Sequence, residues 1–183
     1  MKNNVGKGAF VLVVSGIICK FFGGLFRLPL TNIVGMEGIG IFQMIMSIYS
    51  LALVFVSGGV TNALSKLISS ARARGDNKII GSYLRYGVIF SISFSLCISL
   101  FFLFFSKQIA SIQGIAGGAN SYLLIALILP LGAFVGVMRG LIQGYSNMTP
   151  TAVSQIIEQV SKFAFGLVFA FWLGKDGIEK GVF

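Results

Sequence analysis

Long apolar runs alternate with short polar or glycine-rich segments five times along the chain. The runs cover approximately residues 9–34, 39–68, 79–106, 119–145 and 150–173. Each run is near or above the ~20 residues that a helix needs to cross the hydrocarbon core of a bilayer. The pattern therefore predicts an all-α, polytopic membrane protein with about five transmembrane helices.

The segments between these runs have the composition of turns. Gly35–Gly40 (GMEGIG) predicts a tight turn between the first two helices. In the second run, Ser57, Gly58 and Gly59 predict a loosened or kinked helix. The fourth and fifth helices are expected to be joined by a very short turn near Ser146–Thr149.

The fourth predicted helix has a glycine at every fourth position, namely Gly132, Gly136, Gly140 and Gly144. Small residues at this spacing let one membrane helix approach another closely. We therefore expect this glycine row to be a helix–helix contact.

The third predicted helix is rich in Phe and Ser and has no charged residue between Arg85 and its end. These features are typical of a peripheral helix that faces lipid. Serines inside such a helix can hydrogen-bond to the backbone of their own helix. We expect this of Ser91, Ser93, Ser95 and Ser99.

Composition and charge agree with a membrane protein. The chain is 56% hydrophobic and only 10% charged, whereas soluble domains carry about 25% charged residues. Because Lys and Arg concentrate on the cytoplasmic side of a membrane protein, their distribution predicts a cytoplasmic N-terminus. The N-terminal side holds Lys2, Lys7, Lys66, Arg72, Arg74, Lys78 and Arg85, against Lys107, Lys175 and Lys180 on the other.

The same charge pattern argues against other classes of protein. Nucleic-acid binding is not expected, because no basic stripe with interleaved aromatics lies outside the apolar runs. A cleaved signal peptide is the alternative for the basic start and first apolar run. The run continues through Leu25 and Phe26 without a cleavage pattern, so we expect it to remain as the first helix.

Residues suited to catalysis or metal binding are scarce. The chain has no histidine, which is the commonest general base and metal ligand. Cys19 and Cys97 lie in different apolar runs and do not form a paired motif. Glu158 is the only carboxylate in the predicted membrane interior. We therefore expect that the protein is not an enzyme and that it has no metal site and no cofactor.

Polar residues in the predicted spans are the candidate substrate-cavity residues, because a charged side chain facing lipid costs roughly 2.5–3.5 kcal/mol on insertion scales. The polar positions of the fifth helix share one face, and we expect Arg139, Glu158 and Lys162 to lie toward one interior region. Snorkelling to the interface is the alternative for the first-helix cations, and emergence into the head groups is the alternative for Asn62. The candidates are Lys20, Arg27, Asn62, Arg139, Gln143, Gln155, Glu158, Gln159 and Lys162.

The charges of these candidates favour an anionic substrate. Four are basic and only Glu158 is acidic, so the interior stays net positive even if Glu158 pairs with Lys162 one helical turn away. A positive, partly hydrated cavity suits an anionic group such as a diphosphate.

Three stretches carry a family resemblance: KFFGGLFRLPLTNIVGMEGIGIFQM, SGGVTNALSKLIS and RGLIQGYSNMTPTAVSQIIEQVSK. Together they resemble the polysaccharide-transporter branch of the MATE-like flippase superfamily. The resemblance implies two six-helix lobes around a central cavity, alternating access, and cavity-facing basic residues in the first helix, which Lys20 and Arg27 match. It also implies a cell-membrane location, with a lipid-linked saccharide, the bilayer and a coupling ion as partners.

The length of the chain limits what the resemblance implies. About five spans would supply most of one N-terminal lobe, and the family pattern makes Gly181–Phe183 the expected start of a sixth span. Two alternatives stay open. One is a multidrug exporter of the same fold, which would need acidic cavity residues. The other is a truncated membrane protein that does not transport.

Overall fold

The computed structural model describes residues 2–115 and 118–179, and its regular elements are all helical. Three helical stretches of this described part are long and apolar enough to cross a membrane: Phe10–Ala73, Asn77–Ile112 and Ala119–Gly144. The chain is therefore an all-α, polytopic membrane protein. Gly181–Phe183, the expected start of a sixth span, lies outside the described residues. The elements are α1 (Lys2–Leu53), a π-helical segment (Val54–Gly58), α2 (Gly59–Ala73), α3 (Asn77–Ile112), α4 (Ala119–Gly144) and α5 (Thr149–Glu179).

The predicted turn after the first apolar run is a single non-helical residue inside α1. Gly35 has φ 80° and ψ 174°, a conformation that favours glycine. The rings of Phe26 and Phe42 are 6.3 Å apart, although a straight helix would separate these residues by about 24 Å. The chain therefore turns back at Gly35. Each arm of the Phe10–Ala73 stretch is longer than the ~20 residues needed to cross a bilayer.

The chain divides into two compact units, and the first comprises Met1–Met44 and Met148–Phe183. In this unit, α5 packs against the first arm of α1. A Cβ atom added to Gly8 would lie 3.2 Å from Met148 Sδ, and one added to Gly166 would lie 2.8 Å from the Phe26 ring. The residue numbers of the two helices rise together along the contact. The first arm of α1 and α5 are therefore parallel.

The second unit, Ile45–Asn147, confirms the predicted helix–helix contact of the glycine row. A Cβ atom added to Gly136 would lie 3.2 Å from the Cα of Ser57, and one added to Gly140 would lie 2.8 Å from the carbonyl oxygen of Thr61. The Thr61 hydroxyl also donates a hydrogen bond of 2.7 Å to the carbonyl of Gly136. The row thus seats α4 directly on the backbone of the π-helical segment and α2. These helices are again parallel.

The stretch expected to be loosened is π-helical in the structure, over Val54–Gly58. Val56 is fully buried in this segment. Its carbonyl oxygen lies 3.3 Å from the hydroxyl of Ser91 on α3, which donates to it. A neighbouring helix therefore supplies a donor where the regular helical pattern changes.

Part of the expectation for the serines of α3 is wrong. Ser95 does donate to its own helix, at the carbonyl of Ile92. Ser99 instead donates to the carbonyl of Ala126 on α4, at 2.6 Å. Ala126 precedes Pro130 by four residues, and proline has no N–H to bond that carbonyl. The serine face of α3 is therefore packed on protein, and its other face carries exposed aromatic residues such as Phe90 and Phe104.

The close approach at Gly136 predicts a large effect of adding a side chain there. We expect Gly136→Leu to lower the free energy of unfolding by about 1–3 kcal/mol or more, because the new side chain meets the Ser57 backbone. Thermal unfolding in detergent measures the change. Gly59→Leu is the matched control, because an added Cβ at Gly59 meets nothing within 4 Å. Equal stability of the two variants would contradict the contact.

The hydrogen bond to Ala126 predicts a second effect on stability. We expect Ser99→Ala to cost about 1–3 kcal/mol, because the buried carbonyl below Pro130 then lacks its donor. Ser93→Ala, at an exposed position of the same helix, should leave the unfolding temperature unchanged. The bond would have no structural role if both variants unfolded at the temperature of the unmodified chain.

Candidate functional site

Two glutamines of the predicted site lie at the contact between α1 and α5 in the first unit. The hydroxyl of Ser15 is 3.5 Å from Oε1 of Gln155, a weak contact. A Cβ atom added to Gly23 would lie 3.2 Å from Nε2 of Gln159. Both glutamines are half-buried. Gly23 thus makes room for the Gln159 amide against α1.

The charged candidates of the first unit lie on one side of this contact. Two parallel helices rotate in the same sense along their axes. The residue that follows a contact residue on the first helix therefore points to the same side as the residue that precedes a contact residue on the second helix. Arg27 follows Phe26, and Lys162 precedes Phe163; these two rings are 6.2 Å apart. Lys20 lies two turns before Arg27 on the same face. By the same rule Glu158, which precedes Gln159, joins them.

These four charged side chains are exposed, and two of them form an ion pair. Lys162 Nζ lies 2.6 Å from Glu158 Oε1, with the two side chains 55% and 44% exposed. This is the pairing that the i, i+4 spacing allows. Three cations against one carboxylate leave this side of the first unit net positive.

The remaining candidates, Asn62, Arg139 and Gln143, belong to the second unit. Asn62 follows the contact residue Thr61 on α2, and Arg139 and Gln143 precede two glycines of the row on α4. The rule for parallel helices places all three on one side of the α2–α4 contact.

Helix α3 covers the opposite side of that contact. A Cβ atom added to Gly87 of α3 would lie 2.8 Å from Leu64, and the Ser91 hydroxyl is 3.5 Å from the carbonyl of Ala133. The side with the polar candidates is therefore not the one packed on α3. There Asn62 is exposed and Arg139 and Gln143 are half-buried.

The structure thus groups the nine candidates into two sets. Lys20, Arg27, Gln155, Glu158, Gln159 and Lys162 line or flank the α1–α5 contact, and the other three flank the α2–α4 contact. The expectation that Arg139 shares one region with Glu158 and Lys162 joins residues of both units. It stays a prediction.

Two features of the units were not predicted from the sequence. Ser15 is buried at 2% exposure against α5, and the only signal for it was a small residue seven positions after Gly8. From the sequence, Arg72 is only one of the basic residues that predict a cytoplasmic N-terminus. Its Nη1 donates to the carbonyl of Tyr145 at 2.6 Å, and its guanidinium lies 5.3 Å from the Tyr145 ring centre. This contact ties the end of α2 to the end of α4.

The Gly23–Gln159 contact predicts different effects for two adjacent glycines. We expect Gly23→Leu to destabilise the protein by about 1–3 kcal/mol, because the side chain displaces the Gln159 amide. Gly24→Leu should leave stability unchanged, because an added Cβ there meets nothing within 4 Å. Unfolding temperatures of the two variants in the same detergent test this, and a larger loss for Gly24→Leu would contradict the packing.

Comparison with known proteins gives one family. A family model described as "Polysaccharide biosynthesis protein" matches residues 5–182. Stage V sporulation protein B of Bacillus subtilis (strain 168) is 31% identical over 94% of this chain and 34% of its own length. No solved structure matches the chain.

Two further relatives come from the same organism. The uncharacterized membrane protein YabM is 31% identical over 94% of this chain and 32% of its own length. Lipid II flippase MurJ is 28% identical over 96% of this chain and 34% of its own length. The chain therefore spans about a third of the length of the curated relatives that it matches.

Proposed function

Because the chain belongs to the polysaccharide biosynthesis protein family, we propose that it forms part of a membrane flippase for an anionic, lipid-linked saccharide. The observation that carries the proposal is the net positive side of the first unit, where Lys20, Arg27 and Lys162 accompany one carboxylate, Glu158. The relative named as a lipid II flippase supports this substrate class. No bond of the substrate changes in such transport, so no catalytic residue is required.

Arg27 and Lys20 are proposed to hold the phosphate groups of the substrate. A guanidinium stays charged in any protein environment and offers a planar fork that matches two phosphate oxygens at once. An ammonium group is a compact charge that adds attraction without fixing orientation. Both side chains are exposed on the same side of α1, so an anionic head group can reach both.

The other polar candidates have different proposed roles. Asn62, Arg139 and Gln143 supply amide and guanidinium donors suited to saccharide hydroxyls or a second anionic group. Gln155 and Gln159 position α5 against α1. Glu158 is held by Lys162 at 2.6 Å, which limits the repulsion between this carboxylate and an anionic substrate.

Transport is proposed to follow alternating access, in which two lobes open the cavity first to one side of the membrane and then to the other. This chain would contribute most of one N-terminal lobe, with its N-terminus in the cytoplasm, to a multi-pass protein of the cell membrane. The coupling ion is proposed to act on the complete transporter.

The head-group contact predicts a graded effect at Arg27. We expect Arg27→Ala to abolish transport while membrane insertion stays intact, and Arg27→Lys to retain only part of it, because lysine keeps the charge but loses the fork. Flipping of a lipid diphosphate saccharide, measured at matched expression from the complete gene, tests this.

An anchor at the interface would behave differently, because lysine snorkels as well as arginine. Equal transport by Arg27→Lys and the unmodified protein would favour the anchor, and normal transport by Arg27→Ala would end the proposal. Export of organic cations in place of a lipid saccharide would indicate a drug exporter.

A further inference from the structure

The exposed side of α3 carries basic residues near the start of the helix and apolar residues further along it. Its serine face packs against the π-helical segment and α4. Beside that face, exposed residues recur at intervals of three, four or seven positions and form one stripe along the helix. The stripe runs through the exposed residues Lys78, Ser82, Arg85, Ile89, Leu96, Leu100 and Leu103.

The charge at the start of this stripe is strongly positive. Lys78 and Arg85 lie about 10.5 Å apart along the helix axis, with Ser82 between them. Arg74, also exposed, ends α2 in the short turn that precedes α3. Within α3 there is no Asp or Glu, and the carboxylate near this end is the exposed Asp76. Arg72 is engaged by Tyr145 and is therefore left out of the group.

We propose that this stripe binds a phospholipid of the bilayer that has an anionic head group. The phosphate lies between Lys78 and Arg85 and accepts a hydrogen bond from Ser82, while an acyl chain lies along Ile89 and Leu96. Basic residues beside a membrane attract anionic lipids, whereas a zwitterionic head group carries its own compensating cation. This site contains none of the residues proposed to line the substrate cavity and does not depend on the proposed transport activity.

Lipid binding to the purified chain tests the proposal directly. Native mass spectrometry in detergent measures the affinity for phosphatidylglycerol and, separately, for phosphatidylcholine. We expect tighter binding of phosphatidylglycerol, and about 30-fold weaker binding by the Lys78→Gln/Arg85→Gln double variant. Lys107→Gln is the matched control, because Lys107 lies on the same stripe at the other end of α3 and should change the affinity less than twofold.

The charge-keeping variant Lys78→Arg/Arg85→Lys should bind phosphatidylglycerol like the unmodified chain. Unchanged binding by the double glutamine variant, an equal loss in Lys107→Gln, or equal affinity for phosphatidylcholine would overturn the proposal. Displacement of phosphatidylglycerol by inorganic phosphate at the same concentration would also overturn it, because the ligand would then be the free anion. If the double variant does not fold by circular dichroism, the two single variants decide, each with an expected loss of about fivefold.

Discussion

Inside a bilayer, a backbone carbonyl that loses its helical partner must receive a hydrogen bond from another part of the protein, because no water is present to supply it. Helix α4 contains such a carbonyl because of its proline. Pro130 withholds the N–H that would bond Ala126, and Ser99 supplies a hydroxyl at 2.6 Å instead. In the π-helical segment, the carbonyl of Val56 receives the hydroxyl of Ser91. These bonds fix α3 against both of its neighbours, and that packing decides which of its faces is left outward.

Close contacts at glycines determine how the other two helix pairs face each other. The glycine row presses α4 onto the backbone of the π-helical segment and α2, and Gly23 admits the Gln159 amide between α1 and α5. Both helix pairs are parallel, so residues next to the contact positions of the two helices point to a shared side. In the first unit that side carries the charged candidates, and in the second unit it carries Asn62, Arg139 and Gln143. Each group is a candidate lining for the proposed cavity, where its side chains would avoid the cost of facing lipid.

The spacing of residues along the chain predicted much of this arrangement, but it did not predict the contacts in which one side chain meets a particular group of another helix. The four-residue spacing of the glycines predicted the α4 contact, because only small residues permit that approach. The expected turn at Gly35–Gly40 is a single glycine with positive φ. Spacing cannot tell which carbonyl a serine meets, so the partners of Ser91 and Ser99 were missed. The grouping of Arg139 with Glu158 and Lys162 depends on how α4 and α5 are arranged in space, which spacing does not give.

We propose that the charged side of the α1–α5 pair faces water in the assembled transporter. Ser15 contacts Gln155, so Gly16 lies on the side of Arg27 and Val14 lies on the opposite side, at nearly the same depth. Gly16→Cys and Val14→Cys, each made in a chain with Cys19 and Cys97 replaced by alanine, can be treated in intact membranes with a charged thiol reagent. We expect modification of Gly16→Cys and protection of Val14→Cys. Equal modification, or modification of Val14→Cys alone, would show that the charged side does not face water.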